Sequence, residues 1–273
     1  MINDFIKQFD LFLKEHYKDD ININTTENTF FTAYHLVQHK IIFHLIDFQT
    51  FARKEILPDF FQSISIQAHK SNLKVIHIWE DYWFAHTALV KSRILNIIKS
   101  GVRISARSCM VQKLDKQHTD DFFTANHLQG STSYYYKYGL FKGSKLVAAI
   151  AFSKSRVMVD GPNLYRSYEM VRFASICGHS VVGGLGKLLN HFIKMQHVQH
   201  IMTYIDLDWG FGESYYRHGF VQTALQAPNH FIINTLSNKR VYETKQTEVF
   251  NPETDINGFN AGSAKLILDL RRF

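Results

Sequence analysis

The chain has 273 residues, 45% of them hydrophobic and 14% aromatic, enough for one large or two modest domains and too apolar for a disordered chain. No apolar run approaches the ~20 residues of a membrane-spanning helix, and the amino-terminal MINDFIKQFDLFLKEHYKDD has acids throughout and no small-residue cleavage site, so it is not expected to be a signal peptide. Charge is uneven: residues 1–100 hold 11 basic and 11 acidic side chains and residues 101–273 hold 20 and 13, so the whole net charge of +7 lies in the second part. A polyanionic partner such as nucleic acid would explain the surplus, and so would a basic enzyme with an anionic cofactor. Cys109 and Cys177 are far apart and lack metal-ligand spacing, so they read as buried thiols in a reducing cytoplasm.

In chain order, residues 3–18 read as an amphipathic helix with Phe5, Phe9, Phe12 and Leu13 on one face and Asn3 or Asp4 as its cap. After the polar stretch DDININTTENT, two short strands are expected, Phe30–Val37 and Lys40–Phe48, turning at Gln38-His39. Ile56–Lys70 reads as a helix, Leu73–Trp79 as a buried strand ended by Glu80-Asp81, and Phe84–Ile98 as a helix closing at Ser100-Gly101. From Arg103 the pattern changes. A strand is expected over Arg103–Lys113, a helix over Asp115–His127, and a hairpin of Tyr134–Phe141 with Lys145–Ser153 around Lys142-Gly143-Ser144.

Tyr168–Ser175 alternates like a strand, then Gly183, Gly184 and Gly186 open a helix with Leu185, Leu188, Leu189, Phe192 and Ile193 at helical spacing, and His200–Asp206 is a second strand. Strand, glycine-rich turn, helix and strand make a βαβ unit. Its glycines allow backbone N–H groups at a helix start to approach an anion such as a pyrophosphate. A strand Asn229–Asn234, a basic turn Asn238-Lys239-Arg240 and the tail NAGSAKLILDLRRF follow. His191, His197 and His200 are not at i, i+4 spacing, and no metal site is expected.

Val181-Val182-Gly183-Gly184-Leu185-Gly186 and Tyr215-Tyr216-Arg217-His218-Gly219-Phe220 resemble the Q/R-x-x-G-x-G/A loop and the later Tyr-x-x-x-Gly-Phe of the GNAT acyltransferase superfamily. The resemblance implies a GNAT-like mixed α/β (α+β) sheet with helices. It also implies acetyl-CoA or another acyl-CoA bound at Val182, Gly183, Gly184, Leu185, Gly186 and Lys187. Val181 stands where the family has Gln or Arg, so pyrophosphate contacts would rest on the backbone. In the first part, KVIHIWEDYW followed by VKSRILNII resembles a very-short-patch-repair type, PD-(D/E)xK-like nuclease fold. Its hairpin shows Ala33, Tyr34 and His35 where a carboxylate is wanted, and only Asp47 and Glu80 remain to hold Mg²⁺, so a degenerate nuclease-like scaffold is expected. Two domains follow, 1–100 nuclease-like and 101–273 acyltransferase-like. The ordered set Ile104–Cys109, Asn126–Gly130, Val171-Arg172-Phe173, Val182-Gly183-Gly184, Thr203–Asp206, Tyr215…Phe220 and Ala261–Lys265 is similar to phage-encoded proteins that join these two domains, and, more loosely, to Mom-type DNA-modifying enzymes.

On that resemblance Tyr215 is the general acid for the departing thiolate. Asp206 or Asp208, at a strand end, offers the base, and Tyr204 shares the face of Asp206 because strand side chains alternate. His127 and Gln129 lie in a loop, where functional polar groups concentrate. Arg107, Gln129, Arg172, Lys239 and Arg240 are the expected nucleic-acid contacts. The function expected is acyl transfer to a nucleobase amine of double-stranded DNA. The rivals are a catalytically degenerate DNA-binding protein, a GNAT acting on a small molecule or protein, and a residual endonuclease.

Overall fold

A computed structural model describes residues 3–24, 30–242 and 250–271. The fold is mixed α/β, and the chain divides into two compact units. The first comprises Met1–Thr87, Ile205–Glu213 and Ala224–Ala264; the second comprises Ala88–Tyr204, Ser214–Thr223 and Lys265–Phe273. This differs from the expected boundary at residue 100 in two ways. The helix expected over Phe84–Ile98 is two helices, Glu80–Ala85 and Thr87–Ile97, interrupted at His86, and the first junction falls there. The carboxy-terminal part also returns to the first unit twice, which no single cut in the sequence can represent.

In the first unit, the helix Asp4–His16 is capped by the Asn3 side chain, which accepts the Phe5 N–H, and it buries Phe5, Phe9, Phe12 and Leu13. A four-stranded sheet runs Ile21–Asn24, Ala33–Leu36, Ile41–Ile46 and Lys74–Trp79, antiparallel except for the parallel last pair. Ile21–Asn24 lies in the stretch expected to be a polar connection; its alternation of Ile and Asn is enough for an edge strand once a partner is present. A short helix Phe48–Arg53, capped by Asp47, was likewise absent from the expected elements. Returning residues add a three-stranded antiparallel sheet of Lys239–Tyr242, His230–Asn234 and Asp255–Phe259.

The register of the parallel pair sets His44 opposite His77. Both are buried, 2% and 1% exposed; their Nδ1 atoms are 2.9 Å apart and His77 Nε2 lies 2.8 Å from Ser65 Oγ. Burial holds His44 down at about 3, and burial with His44 alongside holds His77 well below its ordinary value. Unfolded, both titrate near 6.5, so between pH 6.5 and 3 the unfolded chain binds more protons. Their contribution is complete above pH 6.5 and is lost as pH falls, by about 1.4 kcal/mol per pH unit from His44 alone. At pH 5 this unit is therefore expected to have lost about 2 kcal/mol through His44. Denaturant midpoints at pH 7 and pH 5 measure it, and His44→Phe, placed among the rings of Phe31 and Phe61, is expected to flatten the difference. An unchanged pH dependence in that variant would refute the assignment.

The second unit is built on a sheet whose strands run Val221–Gln226, Ser263–Asp269, His200–Asp206, Asn163–Ser175, Lys145–Phe152, Tyr136–Lys142 and Met110–Lys113, with Arg156–Asp160 paired to Asn163–Ser167. The strand expected over Arg103–Lys113 is two, Val102–Ser105 and Met110–Lys113, separated by a tight turn Ala106–Ser108. Val102–Ser105 instead pairs in parallel with His179–Val182. The helix Gly184–Gln196 buries Leu185, Leu188, Leu189 and Phe192, and Phe192 stacks on Phe152 with ring centroids 3.6 Å apart. A second helix, Lys116–Asn126, is capped by Asp115, which accepts the His118 N–H, and it sets Phe122 and Phe123 against Leu114, Ala149, Ala151 and Ala174.

Candidate active site

Two irregularities of the second unit's sheet open its centre. Asn163–Ser175 and His200–Asp206 are parallel neighbours, yet their pairing covers only Ser167–Glu169 with His200–Met202. Beyond it, the Thr203 hydroxyl donates to the Met170 carbonyl at 2.9 Å, a side-chain bond where a ladder would continue. On the other side the register with Lys145–Phe152 shifts between Met170 and Arg172, leaving Val171 outside the ladder as a bulge.

The glycine turn lies beyond the same long strand. Gly183 takes φ 78 as the cap of the helix Gly184–Gln196, a left-handed conformation that costs other residues about 1–2 kcal/mol. No side chain caps this helix and its first turn has no acid. The N–H groups of its first turn have no intrahelical acceptor, and Val182 and Gly183 above them are exposed. Such an end favours an anion. Gly184 and Gly186 serve packing: a Cβ at Gly184 would stand 3.0 Å from Val181 Cγ1, and one at Gly186 2.5 Å from the His218 ring. Lys187, an expected cofactor contact, is corrected. Its ammonium donates to the carbonyls of Ala106 (2.9 Å) and Cys109, which fastens the Ala106–Cys109 turn beside Gly183. Arg107, exposed on that turn, therefore neighbours the helix start.

His218 belongs to the turn that carries Tyr215, so the Gly186 contact joins both halves of the expected motif. Tyr215 packs edge-on to Phe220, with centroids 5.7 Å apart, and the Phe220 N–H donates to the Tyr215 carbonyl. Burial pushes its phenol up to about 12, against the smaller opposing pull of Arg93. The hydroxyl is a protonated acid throughout the neutral range.

The structure brings Arg172 to the loop that carries His127 and Gln129. The Gln129 N–H donates to His127 Nδ1 at 3.2 Å, and Arg172 donates from Nε to the Gly130 carbonyl (3.2 Å) and from Nη1 to the Val171 carbonyl (2.8 Å). With Nδ1 accepting, the His127 proton sits on Nε2. Burial first, then Arg172 and Arg93, push the imidazole down to about 3, so His127 is a hydrogen-bond donor and a poor base. Arg93 escaped the sequence reading. It lies within VKSRILNII, a segment assigned to the nuclease-like resemblance, and only tertiary structure brings its charge to bear on both His127 and Tyr215.

The remaining expected residues divide differently. Tyr204, 43% exposed, ends the second unit's share of its strand, whereas Asp206 and Asp208 belong to the first unit. Asp206 accepts the Asp208 N–H at 3.1 Å. Asp208 is buried and accepts the Ala261 N–H at 2.7 Å; burial, then the Asp206 carboxylate, hold it well above the usual range, which favours its protonated form. Of the two candidate bases, Asp208 is the one withdrawn from solvent, at 2% exposed. Lys239 is exposed. Arg240 is corrected as a nucleic-acid contact: its side chain, 4% exposed, binds Asp81 through Nε and Nη2, both at 2.8 Å, and lies over the rings of Phe231, Tyr82 and Trp79. The turn expected at 238–240 opens the strand Lys239–Tyr242, which carries Arg240 inward. Among the described residues no group of three or more His, Cys, Asp or Glu could hold a metal, and no helix is long and apolar enough to cross a membrane.

No protein-family model and no curated protein matches the sequence. Solved structures similar to the chain include acyltransferases. An Enterococcus faecalis protein described as a probable N-acyltransferase is 15% identical, with a TM-score of 0.35 over 47% of this chain; the match spans 35% of that protein's length. An IAA acetyltransferase from Bacillus cereus is 13% identical, with a TM-score of 0.35, and covers 60% of this chain and 100% of its own. A Bacillus subtilis acetyltransferase in complex with CoA is 14% identical, with a TM-score of 0.36, and covers 59% and 99%. At such identities and scores, the functional reading rests on the geometry above.

Proposed function

We propose that the second unit is an acyl-CoA-dependent N-acyltransferase and that its acceptor is a nucleobase amine in DNA. The observation that carries the first part is the seating of His218 against Gly186, which joins an uncapped, glycine-led helix start to a half-buried tyrosine acid in one site. The first-turn N–H groups and Gly183 suit a diphosphate in charge and access. Bound acyl-CoA supplies an activated acyl group, whose transfer forms a carbon–nitrogen bond and breaks a carbon–sulfur bond. Tyr215 holds the proton that the sulfur takes up, and the proton shed by the amine balances it. Val171, outside the ladder at the parting of the strands, is the backbone unit best suited to meet the acyl oxygen.

The basic surplus of residues 101–273 and the exposed Arg107 and Gln129 of the second unit support a polyanionic acceptor. The first unit is read as a scaffold without nuclease chemistry. Asp47 is occupied by the Thr50 N–H, and Glu80 by the Phe48 N–H and the Asn3 amide, which leaves the carboxylates expected to hold Mg²⁺ in capping roles.

Calorimetric titration with CoA tests the cofactor. Gly183→Val, which places a β-branched residue at φ 78 beside the first-turn N–H groups, is expected to weaken CoA binding about tenfold or more. Equal affinity in both proteins would remove CoA from this turn. Mass spectrometry of nucleosides from DNA of cells expressing the chain tests the acceptor; an unmodified nucleoside profile would return the acceptor to a small molecule or a protein.

A further inference from the structure

The hairpin formed by Arg156–Asp160 with the start of Asn163–Ser175 takes no part in the site described above. Its strands pair without a break from Asp160–Asn163 to Arg156–Ser167, across a two-residue turn in which Gly161 takes φ 57. Such a turn leaves its flanking pair hydrogen-bonded, and bonded pairs alternate along an antiparallel ladder. Asp160–Asn163, Met158–Tyr165 and Arg156–Ser167 therefore exchange the bonds. The N–H and C=O groups of Val157 and Val159 point instead to the other edge of Arg156–Asp160. Among the described residues no strand pairs with that edge, and all five residues are exposed. Natural edges are blunted by lysine, proline or a bulge, and RVMVD has none of these. Its two faces differ. Met158 and Asp160 share the face on which Arg271 lies over the Tyr165 ring (3.9 Å) and reaches the Asp160 carboxylate (3.1 Å). Val157 and Val159, 63% and 70% exposed, share the other face with Leu164, also 70% exposed.

We propose that this edge pairs with the same edge of a second copy of the chain, antiparallel and centred on Met158, to form a symmetric dimer. The segment is complementary to itself in that register: Arg156 faces Asp160 of the second copy, Val157 faces Val159, and Met158 faces Met158. Within one copy Arg156 and Asp160 stand about 13 Å apart along the strand, too far to pair with each other. Across the two-fold axis they are directly opposed, at a spacing where opposite charges attract. The outward N–H and C=O groups of Val157 and Val159 supply four backbone bonds. Val157, Val159 and Leu164 of the two copies join into one apolar strip. A shift of one residue would turn the valine face of one copy against the arginine face of the other. A shift of two would set Arg156 or Asp160 against Met158. Because both copies use the same patch, the contact closes at two.

Sedimentation velocity of the full chain over a concentration series tests the pairing. A reversible monomer–dimer equilibrium is expected, with no larger species. Arg156→Asp opposes like charges at both ends of the contact, as does Asp160→Arg, and each alone is expected to raise the dimer Kd about tenfold. An equimolar mixture of the two variants sets opposite charges against each other again at both ends, so a heterodimer of near-parental Kd is expected. Val159→Pro removes an outward N–H and leaves the ladder with Asn163–Ser167 intact, so loss of the dimer with an unchanged circular dichroism spectrum is expected. Four outcomes would overturn the proposal. A chain that stays monomeric at every concentration would give the edge to an extended segment of another protein. A dimer unmoved by the charge reversals and by Val159→Pro would place the contact elsewhere. Failure of the mixture to restore association would remove the Arg156–Asp160 register, and assemblies that grow beyond two copies would remove the two-fold symmetry.

Discussion

Tyr215→Phe is expected to lower kcat for acyl transfer about 100-fold or more, with little change in KM for acetyl-CoA. The substitution removes one hydroxyl and keeps the ring that packs against Phe220. A role confined to packing would therefore leave kcat nearly intact. Because burial pushes the phenol up to about 12, the acid stays loaded as pH rises through the neutral range, and no alkaline loss from this group is expected below about pH 10. Steady-state kinetics of both proteins between pH 6 and 10, with circular dichroism to verify the fold, provide the measurement. A kcat within a few-fold of the parent would displace Tyr215 from the mechanism.

Asp81→Asn is expected to destabilise the first unit by about 3–5 kcal/mol, because it leaves Arg240 as an uncompensated buried cation. Arg240 donates two hydrogen bonds to this carboxylate, and its Nη1 is buried with no other partner. Aromatic rings of Phe231 and Tyr82 at 3.8 and 4.1 Å shield the guanidinium from water. Urea unfolding at pH 7 measures the loss. Should the single variant fail to fold, Asp81→Leu with Arg240→Met is expected to recover most of it, since an apolar pair removes both charges together. A single variant within about 1 kcal/mol of the parent would mean that water reaches the pair.

The comparison of Arg240 with Arg172 explains where the sequence was legible. Both are basic residues beside apolar neighbours. Strand alternation sets the face of Arg172 opposite Val171 and Phe173, while its bond to the Gly130 carbonyl, at the end of the loop of His127 and Gln129, is visible only in the structure. Arg240 was placed on an exposed turn because its partner, Asp81, lies 159 positions away, and no local pattern carries an ion pair of that separation. Lys187 failed for a related reason: adjacency to the glycine turn placed it correctly in the helix, but the carbonyls that hold its ammonium come from a turn about eighty residues earlier.

Local patterns were sufficient wherever the physics is local. Helical spacing buried Leu185, Leu188, Leu189 and Phe192, an Asn cap started the first helix, and a positive-φ glycine began the helix after the turn, because each depends on side chains within a few residues. Tertiary structure alone decided the division of the chain, in which residues 205–213 and 224–264 return to the first unit. It alone brought Arg93 to His127 and Tyr215, set His44 opposite His77, and gave Asp208 a buried place that favours its proton. Burial and long-range charge depend on which distant segments pack together, and a period of 2 or 3.6 residues holds no record of that.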